Sequence, residues 1–344
     1  MKVLVAMSGG VDSSVAAALL LADGHEVTGA TMKLWGGPSD SGCCSVADVD
    51  DARRVAQQLG VDHFTFGFAD DFEADVVAPY VAAHAAGRTP NPCVECNRRL
   101  KFDRFLRRAD ALGFDAIATG HHARVERGPR RWHLRRGADR AKDQSYVLHM
   151  LGQDALARTL LPVGHLTKLE VRARAGALGL RTAGKPDSQD VCFISATGGR
   201  SAFLGPRTAL TPGRVVDREG SVVGSVPAVQ LVTVGQRRGL GLAGGGAPSF
   251  ATAVDVASGT VTVGSAEDLL VTDLVVGSPT WVGPVATGAV EVQVSAHGAA
   301  HPGRASPSPD LVRVGLDEPV RRVAPGQSVV LYLGDEVLGG GTAA

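Results

Sequence analysis

Lys2-Val3-Leu4-Val5-Ala6-Met7-Ser8-Gly9-Gly10-Val11-Asp12-Ser13-Ser14 is a short apolar run that passes through two glycines straight into a helical pattern. Lys2 to Ala6 reads as a strand and Ser13 to Ala22 as a helix. Between them, the glycines let backbone amides approach an anion closely, the serine hydroxyls add donors, and the helix amino terminus contributes its dipole. The same residues also admit a plainer reading, a turn with an N-cap. No Gly-Lys-Ser/Thr follows, so the loop is not of the Walker type.

Outward from this loop, strands and helices alternate. Glu26 to Lys33, Val61 to Phe66 and Asp115 to Thr119 read as strands, and Ala47 to Leu59, Asp70 to Ala85 and Arg98 to Leu112 as helices. That alternation predicts an α/β fold, a parallel sheet with flanking helices, whose ligands sit beyond the carboxyl ends of the strands. After about Phe193 the pattern changes to Gly, Pro and short Val-rich runs, the pattern of small barrels or sandwiches. Strands are expected at 213–216, 222–223, 229–234, 260–263, 290–294, 311–314 and 328–332, with surface loops at 241–248 and 299–309. The expected domains are residues 1–200, 201–265 and 266–344, the last two small and β-rich and the last a β-barrel.

The 344 residues carry 35 basic and 35 acidic side chains, a balance that argues against bulk electrostatic binding of nucleic acid. The average hides a division. Residues 1–87 hold 4 basic and 12 acidic side chains, whereas 88–142 hold 15 and 6, net +9, around one of the cysteine motifs. Such a block suits a local anionic partner, or it is a solvated face. No cationic leader precedes the first strand, and the longest apolar run, Val15 to Ala22, is too short to span a bilayer, so no membrane partner is expected and the cytoplasm is the default. Five cysteines in such a chain read as thiols or ligands rather than a disulfide framework.

Two cysteine motifs narrow the chemistry. Gly87-Arg88-Thr89-Pro90-Asn91-Pro92-Cys93-Val94-Glu95-Cys96-Asn97-Arg98-Arg99-Leu100-Lys101-Phe102 is a Pro-stiffened loop that places Cys96 next to the start of a helix, where the dipole and nearby arginines favour a thiolate. Gly184-Lys185-Pro186-Asp187-Ser188-Gln189-Asp190-Val191-Cys192-Phe193-Ile194 is a second turn ending in a thiol. By its phosphate loop, which resembles that of the PP-loop ATP pyrophosphatases, the domain would activate a carbonyl, and two thiols on it suggest sulfur transfer. The carbonyl oxygen leaves poorly unless first made an adenylate, and a persulfide on one cysteine can be discharged by the other as a disulfide forms. A zinc knuckle at Cys93-x-x-Cys96 lacks a second ligand pair, and the adjacent Cys43-Cys44 is poor zinc geometry. A three-cysteine [4Fe-4S] site using Cys93, Cys96 and Cys192 stays open.

Ala6 to Ser14 resembles the loop of the PP-loop ATP pyrophosphatases. Together with both cysteine motifs, Thr119-Gly120-His121-His122, Lys142-Asp143-Gln144-Ser145-Tyr146, Leu161-Pro162-Val163-Gly164, Gly235 to Gly241 and Pro325-Gly326-Gln327, the chain resembles the tRNA-specific 2-thiouridylase family almost end to end. The resemblance implies an adenine-nucleotide-hydrolase-like α/β domain that thiolates the wobble uridine, U34, of tRNA. The C2 carbonyl would be adenylated and sulfur then delivered, with release of AMP and pyrophosphate. By the same resemblance, Ala6, Met7, Ser8, Gly9, Gly10, Val11, Asp12, Ser13, Met32 and Gly120 would contact ATP. Asn91, Pro92 and Cys93 would meet the target base, and His121, Lys142, Asp143, Gln144 and Gln327 would meet tRNA. Cys96 would be the nucleophile and Cys192 the persulfide carrier. Implied cofactors are ATP and Mg2+, with [4Fe-4S] as the alternative, and an implied partner besides tRNA is a sulfur-donor protein, a cysteine desulfurase or relay protein.

The family commonly has Asp where this chain has Cys93, a His and a Tyr where Val226 and Leu231 stand, and an Arg-Tyr pair where Ala296-His297 stand. Asp12 suits either a magnesium ion held with the phosphates or a helix cap. His25, His63, His133, Trp35, Trp132 and Trp281 read as packing or surface residues. Arg98, Arg99 and Arg104 are offered to RNA phosphates. Two other readings compete: a PP-loop amide or amidine ligase, which leaves both cysteine motifs idle, and a non-catalytic iron–sulfur or RNA-binding module.

Overall fold

A computed structural model describes residues 1–34, 45–187, 191–195, 198–243 and 246–344. Trp35, Cys43-Cys44, the Ser188-Gln189-Asp190 portion of the second cysteine motif and part of the 241–248 loop lie outside the described residues. The chain opens with β1 (Lys2–Ala6), α1 (Val11–Ala22), β2 (Glu26–Lys33), α2 (Val46–Leu59) and β3 (His63–Gly67). It continues with β4 (Ala116–Ala118), a hairpin of β5 (Ala123–Arg127) and β6 (Trp132–Arg136), and β7 (Thr159–Leu160). Five of these strands form the expected parallel sheet, in the order β3-β2-β1-β4-β7.

Because β1 is buried on both faces, its residues after Lys2 are all apolar. One face is covered by α1, whose Ala16 and Ala17 admit a close approach, and by α2, started by a Ser45–Asp48 capping box and ended by Gly60 at φ 72°. The other face is covered by helical turns over 69–85 and 92–111, each containing a π-wound segment, Glu73–Val77 and Cys96–Arg104.

Next comes a four-stranded sheet, β8 (Gly213–Val216), β9 (Val222–Val226), β10 (Phe250–Asp255) and β11 (Thr260–Gly264), in the order β10-β11-β8-β9 around its own apolar cluster. The remaining strands are β12 (Leu270–Trp281), β13 (Gly288–Gln293), β14 (Ala300–Pro307), β15 (Leu311–Arg321), β16 (Ser328–Leu333) and β17 (Glu336–Ala343). They run antiparallel and close on themselves through β12 and β17.

Three sequence expectations change. Residues 229–234 form a 3-10 turn at Val229–Leu231 rather than a strand. Its valines fill the core of the central sheet while Gln230 bonds the Thr211 backbone and hydroxyl. The expected loop 299–309 is β14, an inner strand in which Gly303 passes close to Gly315 of β15. Third, the hairpin β5–β6, unforeseen, extends the barrel sheet beside β17.

That hairpin also explains much of the basic block. Arg124 pairs with Glu126 and Asp335, Arg131 with Glu336, Arg135 with Glu126, Arg136 with Asp143 and Arg140 with Asp335. Arg104, expected on RNA phosphate, is held by Asp71 at 2.9 Å and Asp75 at 2.8 Å, and Arg98 and Arg99 both face Glu95. Arg124, Arg131 and Arg140 therefore fasten the first domain to the barrel through Asp335 and Glu336, with Arg136 also lying 3.6 Å from the Tyr332 ring centre.

Buried His84 and His149 are held neutral, burial pushing each imidazole down to about 4 from its usual 6.5. Unfolding lets each take up a proton between those values, so stability falls as pH drops through that window. Urea midpoints measured at pH 7, 5.5 and 4.5 are expected to decline steadily; a flat profile above pH 5 contradicts this.

Candidate active site

The sheet directs the first loop to one end, where one cavity of about 560 Å³ opens. Gly10 caps α1 without any side-chain hydrogen bond, leaving the first-turn amides available to an anion. Ser8 N–H donates to Ser13 Oγ at 3.2 Å, and the Ser14 hydroxyl donates to Gly10 O at 2.8 Å, which fixes the loop's shape. Gly9 sits at φ 72° with the Asp48 carbonyl where a Cβ would be, and a Cβ on Gly120 would lie 2.6 Å from Ser13 N. Only glycine lets these backbones pass.

Of the residues given to ATP, Ala6, Met7, Ser8, Asp12 and Ser13 border the cavity, as do Met32 and Gly120; Gly9, Gly10 and Val11 complete the loop without bordering it. Pro92, Cys93 and Cys96 also border it, as do Val191, Cys192 and Phe193. The two cysteine motifs and the phosphate loop thus share one cavity.

The helix carrying the first motif starts earlier than expected. Asn91 is its N-cap, its Oδ1 accepting from Cys93 N–H at 3.1 Å, and Pro92 opens the first turn. Cys93, not Cys96, therefore occupies the first turn, and Cys96 begins the π-wound Cys96–Arg104 segment a turn further on. The Pro-Asn-Pro sequence that read as loop supplies a cap and an N1 proline.

Residues given to tRNA divide. His121, Lys142, Asp143 and Gln144 border the cavity, while Gln327 does not. Gln327 Nε2 donates to Thr89 O at 2.7 Å, so the barrel's 325–327 turn braces the chain leading to Asn91. Asp143 accepts from Gly137 N–H, Ser145 N–H and the Ser145 hydroxyl, and Gln144 Oε1 accepts from His122 N–H at 2.8 Å. Burial, aided by the Lys101 and His122 charges, holds His121 well below the ordinary imidazole range. Its Nδ1 lies 2.7 Å from Thr119 Oγ1. Ala296 and His297 border the cavity from the segment between β13 and β14.

Sequence reasoning missed Lys168. Its side chain, 11% exposed, lies 2.7 Å from Asp12 and 3.0 Å from Asp187, and Asp187 in turn holds Lys142 at 2.8 Å. Burial alone would raise the Asp12 carboxyl, but hydrogen bonds from His122 and Lys168 keep it below its usual value. Asp187 is likewise held far below its usual value against burial by Lys142 and Lys168. The available signal was Thr167-x-x-Glu170, a capping box that sets Lys168 at the first position of helix Lys168–Ala177. Lys185, from the second motif, reaches Gly9 O at 3.0 Å and Asp48 at 2.6 Å.

Among the described residues, no three His, Cys, Asp or Glu side chains converge closely enough to hold a metal ion. Cys93, Cys96 and Cys192 suit an iron–sulfur cluster in kind but not in spacing. Both Asp12 oxygens are engaged by Lys168.

Fold and site together define a PP-loop α/β protein, an uncapped helix terminus for phosphate facing two cysteine-bearing walls, extended by two β-rich modules. Residues 1–196 match the tRNA methyl transferase HUP domain, 201–265 the tRNA methyl transferase PRC-barrel domain and 271–343 the aminomethyltransferase beta-barrel domain. The tRNA-specific 2-thiouridylase MnmA of Mycolicibacterium smegmatis is 47% identical, covering 99% of both chains. That of Acidothermus cellulolyticus is 48% identical, covering 100% of this chain and 98% of its own. The chain belongs to the tRNA-specific 2-thiouridylase family. Among solved structures, a 4-thiouridine synthetase–RNA complex with bound ATP aligns over 58% of this chain and 46% of that one, at 19% identity and a TM-score of 0.38. No helix among the described residues is long and apolar enough to cross a membrane.

Proposed function

We propose that this chain is an ATP-dependent tRNA-uridine 2-sulfurtransferase that converts the wobble uridine, U34, to 2-thiouridine. The observation that carries this is the single cavity shared by the phosphate loop, Cys96 and Cys192. ATP would lie with its phosphates on Ala6 to Ser13, between Met32 and Gly120. The uridine C2 oxygen attacks the α-phosphorus; the bond to the β-phosphate oxygen breaks and pyrophosphate leaves with the electron pair. The terminal sulfur of a Cys192 persulfide then attacks C2 and AMP departs. The Cys96 thiolate attacks the Cys192 sulfur; the sulfur–sulfur bond breaks, its electrons form the C2 thiocarbonyl, and a Cys96–Cys192 disulfide remains for an external thiol to reduce.

In this reading Asn91, Pro92 and Cys93 adjoin the flipped base, and His121, Lys142, Asp143, Gln144 and Gln327 support the tRNA contact. Domain boundaries near 200 and 265, a protein persulfide donor of the cysteine desulfurase or relay class, a magnesium ion travelling with ATP, and a cytoplasmic location belong to the same proposal. No step runs through an iron–sulfur cluster. A small-molecule ligase would leave both cysteine walls unused. The test is incubation with tRNA, ATP and a persulfide donor, followed by nucleoside mass spectrometry: 2-thiouridine at position 34 is expected, and none refutes the reading.

Lys168 is placed to move from Asp12 to the departing pyrophosphate. Lys168→Met is expected to slow pyrophosphate release about 10²-fold at saturating ATP, the usual scale for losing one preorganised charge. Single-turnover release rates check this, and an unchanged rate removes Lys168 from the chemistry.

A further inference from the structure

Asn97 directly follows Cys96 on the π-wound stretch and is 2% exposed in the cavity wall. Its Nδ2 donates to Val147 O at 3.0 Å. A backbone carbonyl can only accept, so this bond fixes which way round the amide sits. Its Oδ1 is thereby left as a buried acceptor with no hydrogen-bond partner among the described residues. A buried acceptor left without a donor is costly, and in a cavity wall it invites a donor from a ligand.

We infer that Asn97 is a specificity-determining residue that accepts a hydrogen bond from N3–H of the target uridine. This rests on the proposed thiolation of U34. The base to be adenylated must lie within reach of the Cys192 persulfide, in the cavity that Cys96 and Asn97 also border. Uracil presents a single ring N–H on its Watson–Crick edge, between the two carbonyls. Cytosine presents a lone pair there, which would face Oδ1 acceptor to acceptor. The bond to N3–H also strengthens during reaction: as the C2 oxygen joins phosphorus, the ring becomes electron-poor and N3–H a better donor, so an acceptor there favours the transition state over the bound base. A site built to bond a substrate N–H rejects an analogue lacking it by large factors, because its own acceptor is then left unmet.

The experiment measures single-turnover pyrophosphate release with full-length protein, ATP and one tRNA bearing either U34 or C34. Wild type is expected to favour U34 by at least about 10³-fold. Asn97→Leu, close in shape but without an acceptor, is expected to reduce that preference to about tenfold or less with ATP affinity unchanged, whereas Asn97→Asp, which keeps an acceptor, retains most of it. Should the leucine variant unfold, Asn97→Ser, too short to reach the base, carries the same prediction. If the leucine or serine variant slows both tRNAs equally, Asn97 only braces Val147 and the inference is overturned; a selective loss of ATP affinity overturns it too, since the donor would then belong to the nucleotide. Wild-type protein that releases no pyrophosphate with either tRNA overturns the thiolation reading as well, which separates the two failures.

Discussion

Cys96→Ala and Cys192→Ala are each expected to reduce 2-thiouridine formation at least about 10³-fold while changing ATP affinity less than about twofold. Both side chains border the cavity, but neither lies on the phosphate loop or the Met32 and Gly120 walls proposed to hold the nucleotide. The two variants should fail differently. Without Cys192, no sulfur is carried to C2. Without Cys96, the persulfide can still attack, and the reaction stalls as tRNA joined to Cys192 through two sulfurs. Gel analysis without reductant should show a tRNA–protein adduct with Cys96→Ala that dithiothreitol removes, and none with Cys192→Ala. Thiolated tRNA from either variant at the wild-type rate would refute the two-cysteine mechanism.

Gly120→Ala is expected to weaken ATP binding at least about 10²-fold, because a misplacement of about 1 Å in a binding loop has effects of that size. The new Cβ would sit 2.6 Å from Ser13 N and 2.7 Å from the Asp12 carbonyl carbon, both backbone atoms of the first turn of α1. Flexible side chains could give way, but this backbone is locked by the Ser14 bond to Gly10 O and packed on the sheet. Gly176→Ala is the control: it lies within helix Lys168–Ala177 with open space around its Cβ direction, and should be neutral or slightly stabilising. Calorimetric titration with ATP compares the two, and equal affinities would mean that the first turn of α1 is not the phosphate site.

The α/β domain was legible because Lys2 to Ser14 combines a strand buried from Val3 to Ala6, paired glycines and an uncapped helix start, features dictated by local chemistry. The two cysteine motifs were legible as chemistry, yet nothing local shows that Val191 to Phe193 shares a cavity with Pro92 to Cys96; Phe193 is held there by its ring contacts with Phe72, Tyr80 and Phe203. Charge was only partly legible for a related reason. Arginines at 124–140 look like an RNA surface until β5–β6 is seen beside β17, whose flanking acids Asp335 and Glu336 lie some two hundred residues away in sequence. Lys168 and Asn97 escaped because their significance rests on partners that only the fold brings near: Asp12 and Asp187 for the first, Val147 for the second. The 299–309 segment escaped because Gly and Pro in an inner barrel strand imitate a loop, and only its neighbours β13 and β15 reveal the pairing.

In the proposed reaction, one cavity first adenylates the uridine carbonyl and then replaces its oxygen with sulfur. tRNA carrying oxygen-18 at C2 of U34 tests it directly, with unlabelled ATP and a persulfide donor. One labelled oxygen in the AMP phosphate is expected for every 2-thiouridine formed, and none in pyrophosphate. Label recovered in water or in pyrophosphate, with AMP unlabelled, would contradict it.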